Sequence, residues 1–198
     1  MAGTRLLVQD GIREKLMPKI LEHVAKIVPQ DPLDNNCTFG ALINEAHMNK
    51  VLGYIETGKA DGAKLIYGGE QVLQETGGFY VKPAIFDQVG AGDRIAQEEI
   101  FGPVLSVIGF KDEAEALEIA NGTCFGLAAY VATQNVGRVQ RMGEELAAGI
   151  IQMFATGTPS GGNVAITIEA HKQSGFGFEA GIAGLAAYTA VSTVMCFT

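Results

Sequence analysis

The chain has 198 residues, 47% of them apolar, and 22 acidic against 14 basic side chains give it a net charge of −8. That length and apolar share allow one sizeable core and predict a single domain over 1–198. The acidic balance argues against nucleic acid and against anionic membrane surfaces as partners. No apolar run is long enough to span a bilayer, and nothing resembles a signal peptide. Three cysteines, Cys37, Cys124 and Cys196, are odd in number and widely spaced, with no metal-ligand pattern. They fit a reduced, cytoplasmic setting, each as a small and partly buried apolar residue.

Taken in order, Arg5-Leu6-Leu7-Val8 predicts a first strand, ended by Asp10-Gly11. Ile12, Leu16, Ile20, Val24 and Ile27 recur at near-helical spacing, so an amphipathic helix follows, with Pro18 imposing a kink or a later start. Residues 28–39 are polar and proline-bearing, hence loop. Asn44 is placed to cap the next helix, with Ile43 and Met48 as a hydrophobic staple and Val51, Leu52 and Ile55 on the buried side. Residues 64–67, 79–86 and 104–110 predict strands, the first closed by Gly68-Gly69. Asp112 caps a helix through Ala116, Leu117 and Ala120 that ends at Asn121-Gly122. A buried strand over 127–133, a helix over 136–147 and a strand over 149–154 complete the pattern. The tail, 188–197, alternates and reads as a final strand. Its exposed apolar edge favours pairing with another chain, hence a homo-oligomer, with docking on its own sheet as the alternative. Strands and helices in this alternation predict an α/β fold with a mostly parallel sheet covered by helices on both faces.

One stretch stands apart from propensity: Gln97-Glu98-Glu99-Ile100-Phe101-Gly102-Pro103-Val104. Gly102 permits backbone angles closed to other residues, and Pro103 fixes φ and removes a donor. A sharp, rigid approach to the 104–110 strand is expected, presenting Glu99 and Phe101 at its edge. A carboxylate beside an aromatic ring suits a sugar diol and a flat ring. A helix end with solvated glutamates and a core phenylalanine fits the same residues.

Glu98-Glu99-Ile100-Phe101-Gly102-Pro103-Val104 resembles the central motif of the aldehyde dehydrogenase superfamily. Ala2-Gly3-Thr4-Arg5 looks like the segment directly after that family's nucleophilic cysteine. Asp31-Pro32-Leu33-Asp34, Phe39-Gly40-Ala41-Leu42, Gly53-Tyr54-Ile55 and Gly126-Leu127-Ala128-Ala129 also match. So do Lys172-Gln173-Ser174-Gly175-Phe176-Gly177 and Gly184-Leu185-Ala186-Ala187-Tyr188-Thr189, and all stand in the family's order. The resemblance implies an NAD(P)-dependent oxidation of aldehyde to acid in the intact enzyme. It implies that Glu99 holds the nicotinamide ribose and that Phe101 contacts the nicotinamide. A family glutamine and lysine that touch the cofactor fall on His47 and Lys50, so the lysine is kept and the glutamine is not. His47 otherwise reads as an ordinary exposed helix residue.

The resemblance also marks what the chain lacks. Met1 takes the second place of a Cys-x-Ala-Gly-type segment, and no glycine-rich dinucleotide fingerprint is present. The general-base glutamate and the oxyanion asparagine of the family would lie in a missing N-terminal cofactor part. A C-terminal, catalytic-domain half is therefore expected, with no catalytic residue of its own, inactive alone and itself binding neither NAD nor NADP. The alternative is a non-catalytic, self-associating or scaffold module derived from that half. Residues 151–180 depart most from the family. Thr167-Ile168-Glu169-Ala170-His171-Lys172 stands for its Pro-Phe-Gly-Gly-x-Lys turn, and Phe178 stands for the arginine before Glu179, removing a charge-assisted anchor.

Overall fold

The computed structural model describes residues 3–155 and 166–197. Contacts gather into two compact units, 2–120 and 121–198.

In the first unit, Arg5–Gln9 forms β1, Asp10–Val24 α1, Glu45–Ala60 α2, Lys64–Tyr67 β2 and Gln71–Val72 β3. Tyr80–Val81 forms β4, Ala84–Asp87 β5, Arg94–Gln97 α3, Val104–Phe110 β6 and Glu113–Asn121 α4. The main sheet has the order β1-β6-β5-β2. Both β1 and β5 run parallel to β6, and β2 closes one edge antiparallel to β5. Strands β3 and β4 pair separately as an antiparallel ribbon.

Side-chain alternation sorts the sheet into two cores. Ala84, Phe86, Val104 and Ile108, with Leu7, face a layer containing Met48, Val51 and Ile55 of α2. Ile85, Leu105 and Val107, with Leu6 and Val8, face Leu16, Met17, Ile20 and Val24 of α1. One helix thus covers each face, and the sheet is mostly parallel, as the alternating pattern predicts. Ser106 falls on the α2 face, fully buried, and its hydroxyl donates to the Ile95 carbonyl at 3.0 Å. That bond satisfies the polar group and ties α3 to the sheet.

Helix α1 begins at Asp10, earlier than its apolar stripe, and runs through Pro18. Pro18 is exposed, so the carbonyl it leaves unbonded, that of Glu14, lies on the solvent side. Ile12 is half exposed and outside the stripe. The expected staple does not form, because Ile43 is 85% exposed. Leu42 turns inward instead, its N–H donating to the Phe79 carbonyl at 2.9 Å and its side chain joining the α2-side core. The Asn44 cap is as expected, with Oδ1 accepting from the His47 N–H at 2.8 Å. Asp112 likewise caps α4 through the Glu115 N–H at 3.0 Å. The Arg5 guanidinium donates to the carbonyls of Ile119 and Ala120, at 3.0 and 2.9 Å, at the negative end of α4. Arg13 pairs with Asp87.

In the second unit, Phe125–Gly126 forms β7, Ala128–Ala132 β8, Val136–Glu145 α5 and Ile150–Phe154 β9. Ile168–Glu169 forms β10, His171–Lys172 β11, Phe178–Glu179 β12 and Gly181–Leu185 α6. Strands β8 and β9 are parallel, while β7 pairs with β11 and β10 with β12, both antiparallel. Asn135 caps α5 by accepting from the Arg138 N–H at 3.0 Å. The strand expected to be buried at 127–133 is only half so, since Tyr130 and Ala132 point outward from β8. The departures at 156–165 lie outside the described residues. Within the rest, Lys172 adopts a left-handed backbone, φ 54°, and its ammonium donates to the carbonyls of Asn121 and Thr123 at 2.8 and 3.0 Å. Phe178, at the family's arginine position, is half exposed.

The expected final strand is absent. After a short 3-10 turn at Ala186–Tyr188, the described chain to residue 197 pairs with no strand. Val191, Val194 and Phe197 are each 89% or more exposed. Among the described residues, no helix is long and apolar enough to cross a membrane, and no cluster of metal-ligating side chains occurs.

Candidate functional site

The run between α3 and β6 folds into a tight, externally braced turn. Helix α3 stops at Glu98, whose backbone is already extended. Ile100 then drops into the α2-side core while Glu99 and Phe101 stay on the surface, Phe101 with 70% of its area exposed. Phe101 itself takes the left-handed region, φ 61°. A bulky residue there costs on the order of 1–3 kcal/mol, so neighbours must hold it. Gly102, expected to supply the unusual angle, does not. Its role is space: a Cβ at that position would sit 2.5 Å from Cγ2 of Val51. The turn therefore lies directly on α2. Its far end is fixed by the Ala84 N–H, which donates to the Pro103 carbonyl at 2.8 Å.

Two side chains from the first turns of α2 hold the strained backbone. His47 Nε2–H donates to the Phe101 carbonyl at 2.8 Å, and the Lys50 ammonium donates to the Glu99 carbonyl at 3.2 Å. The helix cap at Asn44 sets the position of both. A second brace holds Glu98. Arg94 forks onto both of its carboxylate oxygens at 2.9 and 3.0 Å, and the Tyr54 hydroxyl donates to one at 2.7 Å. Arg94 first, then Tyr54, lowers the Glu98 carboxyl to about 2. The same bond pushes the Tyr54 hydroxyl up, and the Arg94 guanidinium is raised by its carboxylate partner. Lys50 and Arg94 also lie 5.8 and 5.9 Å from the Tyr54 ring centre, within cation–π range.

Glu98 is thus fully engaged, whereas the exposed Glu99 carboxylate meets no donor among the described residues. The structure brings together all four residues expected at the site, His47, Lys50, Glu99 and Phe101. It separates them by role: two hold backbone, and two present free chemistry. Tyr54, Arg94 and Glu98 were missed. The four-residue spacing of Arg94 and Glu98 was a usable signal for a helical ion pair. Nothing in the sequence marked Tyr54 as their partner.

Beneath the turn lies an open, mainly apolar groove of about 510 Å³. Ile20 and Val24 of α1 form one wall, and Ile85 and Leu105 form part of the sheet side. Gly3-Thr4 and Gly102-Pro103 line the same groove, so two segments far apart in sequence meet there.

The model of the aldehyde dehydrogenase family matches residues 1–194, and the chain belongs to that family. Among solved structures, the KauB aldehyde dehydrogenase from Pseudomonas aeruginosa superposes with a TM-score of 0.90 at 44% identity. An AldA indole-3-acetaldehyde dehydrogenase from P. syringae, in complex with NAD+ and IAA, gives the same values. A betaine aldehyde dehydrogenase from Staphylococcus aureus, in complex with NAD+, gives 0.87 at 33% identity. Each match covers 94% of this chain and 37% of the other, so this chain spans little more than a third of their length. Their shared α/β architecture is the one described here, and NAD+ is bound in the second and third.

Proposed function

We propose that this chain supplies the nicotinamide-facing part of an NAD(P)-dependent aldehyde dehydrogenase, and that the 198-residue polypeptide alone does not oxidise aldehydes. The observation that carries the reading is the braced turn. An uncommitted carboxylate, Glu99, stands beside an exposed ring, Phe101, on a backbone gripped by His47 and Lys50. A carboxylate accepts both hydroxyls of a ribose diol, and an aromatic ring supports a flat heterocycle. The donor set thus fits a nicotinamide nucleoside. When bound, the nicotinamide accepts the hydride removed from the substrate. The chain's own residues hold the sugar, support the ring and keep both in one orientation.

Inactivity alone follows from the nucleophile. Acyl transfer to the enzyme requires a thiolate at the reacting carbon. Cys37 is half-buried, its thiol 3.6 Å from the Gln30 carbonyl oxygen, and Cys124 and Cys196 are surface residues. None occupies the place the family resemblance gives to the nucleophile. An aldehyde-dependent NADH assay is expected to stay at the background rate, and calorimetry with NAD+ is expected to show no micromolar complex. Turnover abolished by replacing one of these cysteines would overturn the proposal.

A second reading, a self-associating module, rests on the apolar tail. Tyr188, Val191, Val194, Met195 and Phe197 are all largely exposed, a surface that favours burial against a second copy.

A further inference from the structure

Beside the turn, Arg94, Glu98 and Tyr54 form one ionic cluster. Glu98 adjoins Glu99 in sequence but faces the other way, into Arg94 and Tyr54. Residue Glu99 has its carbonyl held by Lys50, and Phe101 has its carbonyl held by His47. A rotation of the Glu98 side chain would therefore pull on the first residue of a strained, three-residue turn.

We propose that Tyr54 and Arg94 are positioning residues that act through Glu98 to hold the Glu99–Phe101 turn in its left-handed, outward-facing form. The proposal rests on the cofactor reading above, since its purpose is to aim Glu99 and Phe101 at the nicotinamide riboside. The geometry is well suited to this work. Three hydrogen bonds, two of them from one planar fork, fix the carboxylate in direction as well as position. The donors come from two different elements, α2 and α3, so the carboxylate cannot follow one without leaving the other. Lys50 links the two braces, donating to Glu99 while its ammonium lies over the Tyr54 ring.

The groups facing Glu98 are Tyr54 from α2 and Arg94 from α3, with Asp61 acting on Arg94. Because the Glu98 carboxyl is depressed, the brace is fully present above the usual carboxylate range, about 4.3. It is lost only as pH falls through about 2.

The test uses the full 198-residue chain, isotope-labelled, as wild type, Tyr54→Phe, Arg94→Gln and Arg94→Lys. NMR reads three quantities: the Phe101 HN–Hα coupling, the Glu99 and Phe101 amide shifts, and the titration of the Glu98 side-chain carbon. Tyr54→Phe keeps the ring and removes only the hydroxyl. It is expected to move both amide signals, and Arg94→Gln is expected to shift the Glu98 titration upward, toward the ordinary carboxylate range. Arg94→Lys is expected to recover part of the wild-type shifts. Titration with nicotinamide mononucleotide at millimolar concentration should show at least a three-fold weaker response at the turn in Tyr54→Phe. Unchanged turn signals in folded Tyr54→Phe and Arg94→Gln would overturn the brace by itself. A wild-type turn that ignores the mononucleotide would instead remove the cofactor reading, and with it the purpose assigned to the brace.

Discussion

Replacing Phe86 with alanine is expected to destabilise the chain by about 3–5 kcal/mol, a large share of the 5–15 kcal/mol that folded domains possess. Phe86 is wholly buried in the middle of β5, on the face covered by α2. Its ring reaches α2 only because Gly58 lacks a side chain: a Cβ there would lie 3.0 Å from the ring edge and 2.9 Å from Ile95. Helix, strand and α3 are therefore packed around one ring. Removing it leaves a void that the fixed backbone of Gly58 cannot close, so the cavity term adds to the lost transfer energy. Denaturant titration should show a lower midpoint with an unchanged slope. Phe178→Ala, at a half-exposed ring in the second unit, serves as the contrast and should change stability by less than about 1 kcal/mol. Equal losses from both substitutions would mean that the core is not centred where the packing places it.

The second large effect is expected at Gly102→Ala, about 1–3 kcal/mol. The cause is contact, not backbone freedom. Gly102 has an ordinary φ, but its missing Cβ would press on both methyls of Val51, at 2.5 and 3.0 Å. Val51 is completely buried and β-branched, so its χ1 has little room to yield within α2. The displaced turn should also lose the bonds from His47 and Lys50. Adding Val51→Ala provides the decisive comparison. If contact is the cause, the double variant is more stable than the sum of the two single losses predicts. Strict additivity would point to the backbone angle instead.

Residues 98–104 show what a sequence can and cannot reveal. The unusual turn was legible, because Gly-Pro before a β-branched run has few other uses. The residue bearing the unusual angle was not. Phe101 has no local preference for the left-handed region, and its carbonyl is held there by His47 of α2, 54 residues upstream. Strand β6 was legible to its ends, since both faces are apolar and a buried parallel strand reads as a continuous run. The caps at Asn44 and Asp112 were legible because capping is a local hydrogen bond. Ile43 and Leu42, by contrast, are adjacent apolar residues, and only the bond to Phe79 decides which turns inward. The tail alternates like a strand, yet alternation specifies a face and not a partner. The bond from Tyr54 to Glu98 was not legible for a related reason. The hydroxyl lies on the surface of a helix, and its role depends on a carboxylate 44 residues away.

In the proposed role, Glu99 and Phe101 together face the nicotinamide nucleoside. The decisive experiment titrates isotope-labelled wild type and Glu99→Gln with nicotinamide mononucleotide and follows backbone amide shifts. Changes are expected at Glu99, Phe101 and the start of α2 alone at millimolar concentration, sharply reduced in Glu99→Gln. Shifts that appear elsewhere, or that are equal in the two proteins, would contradict that role.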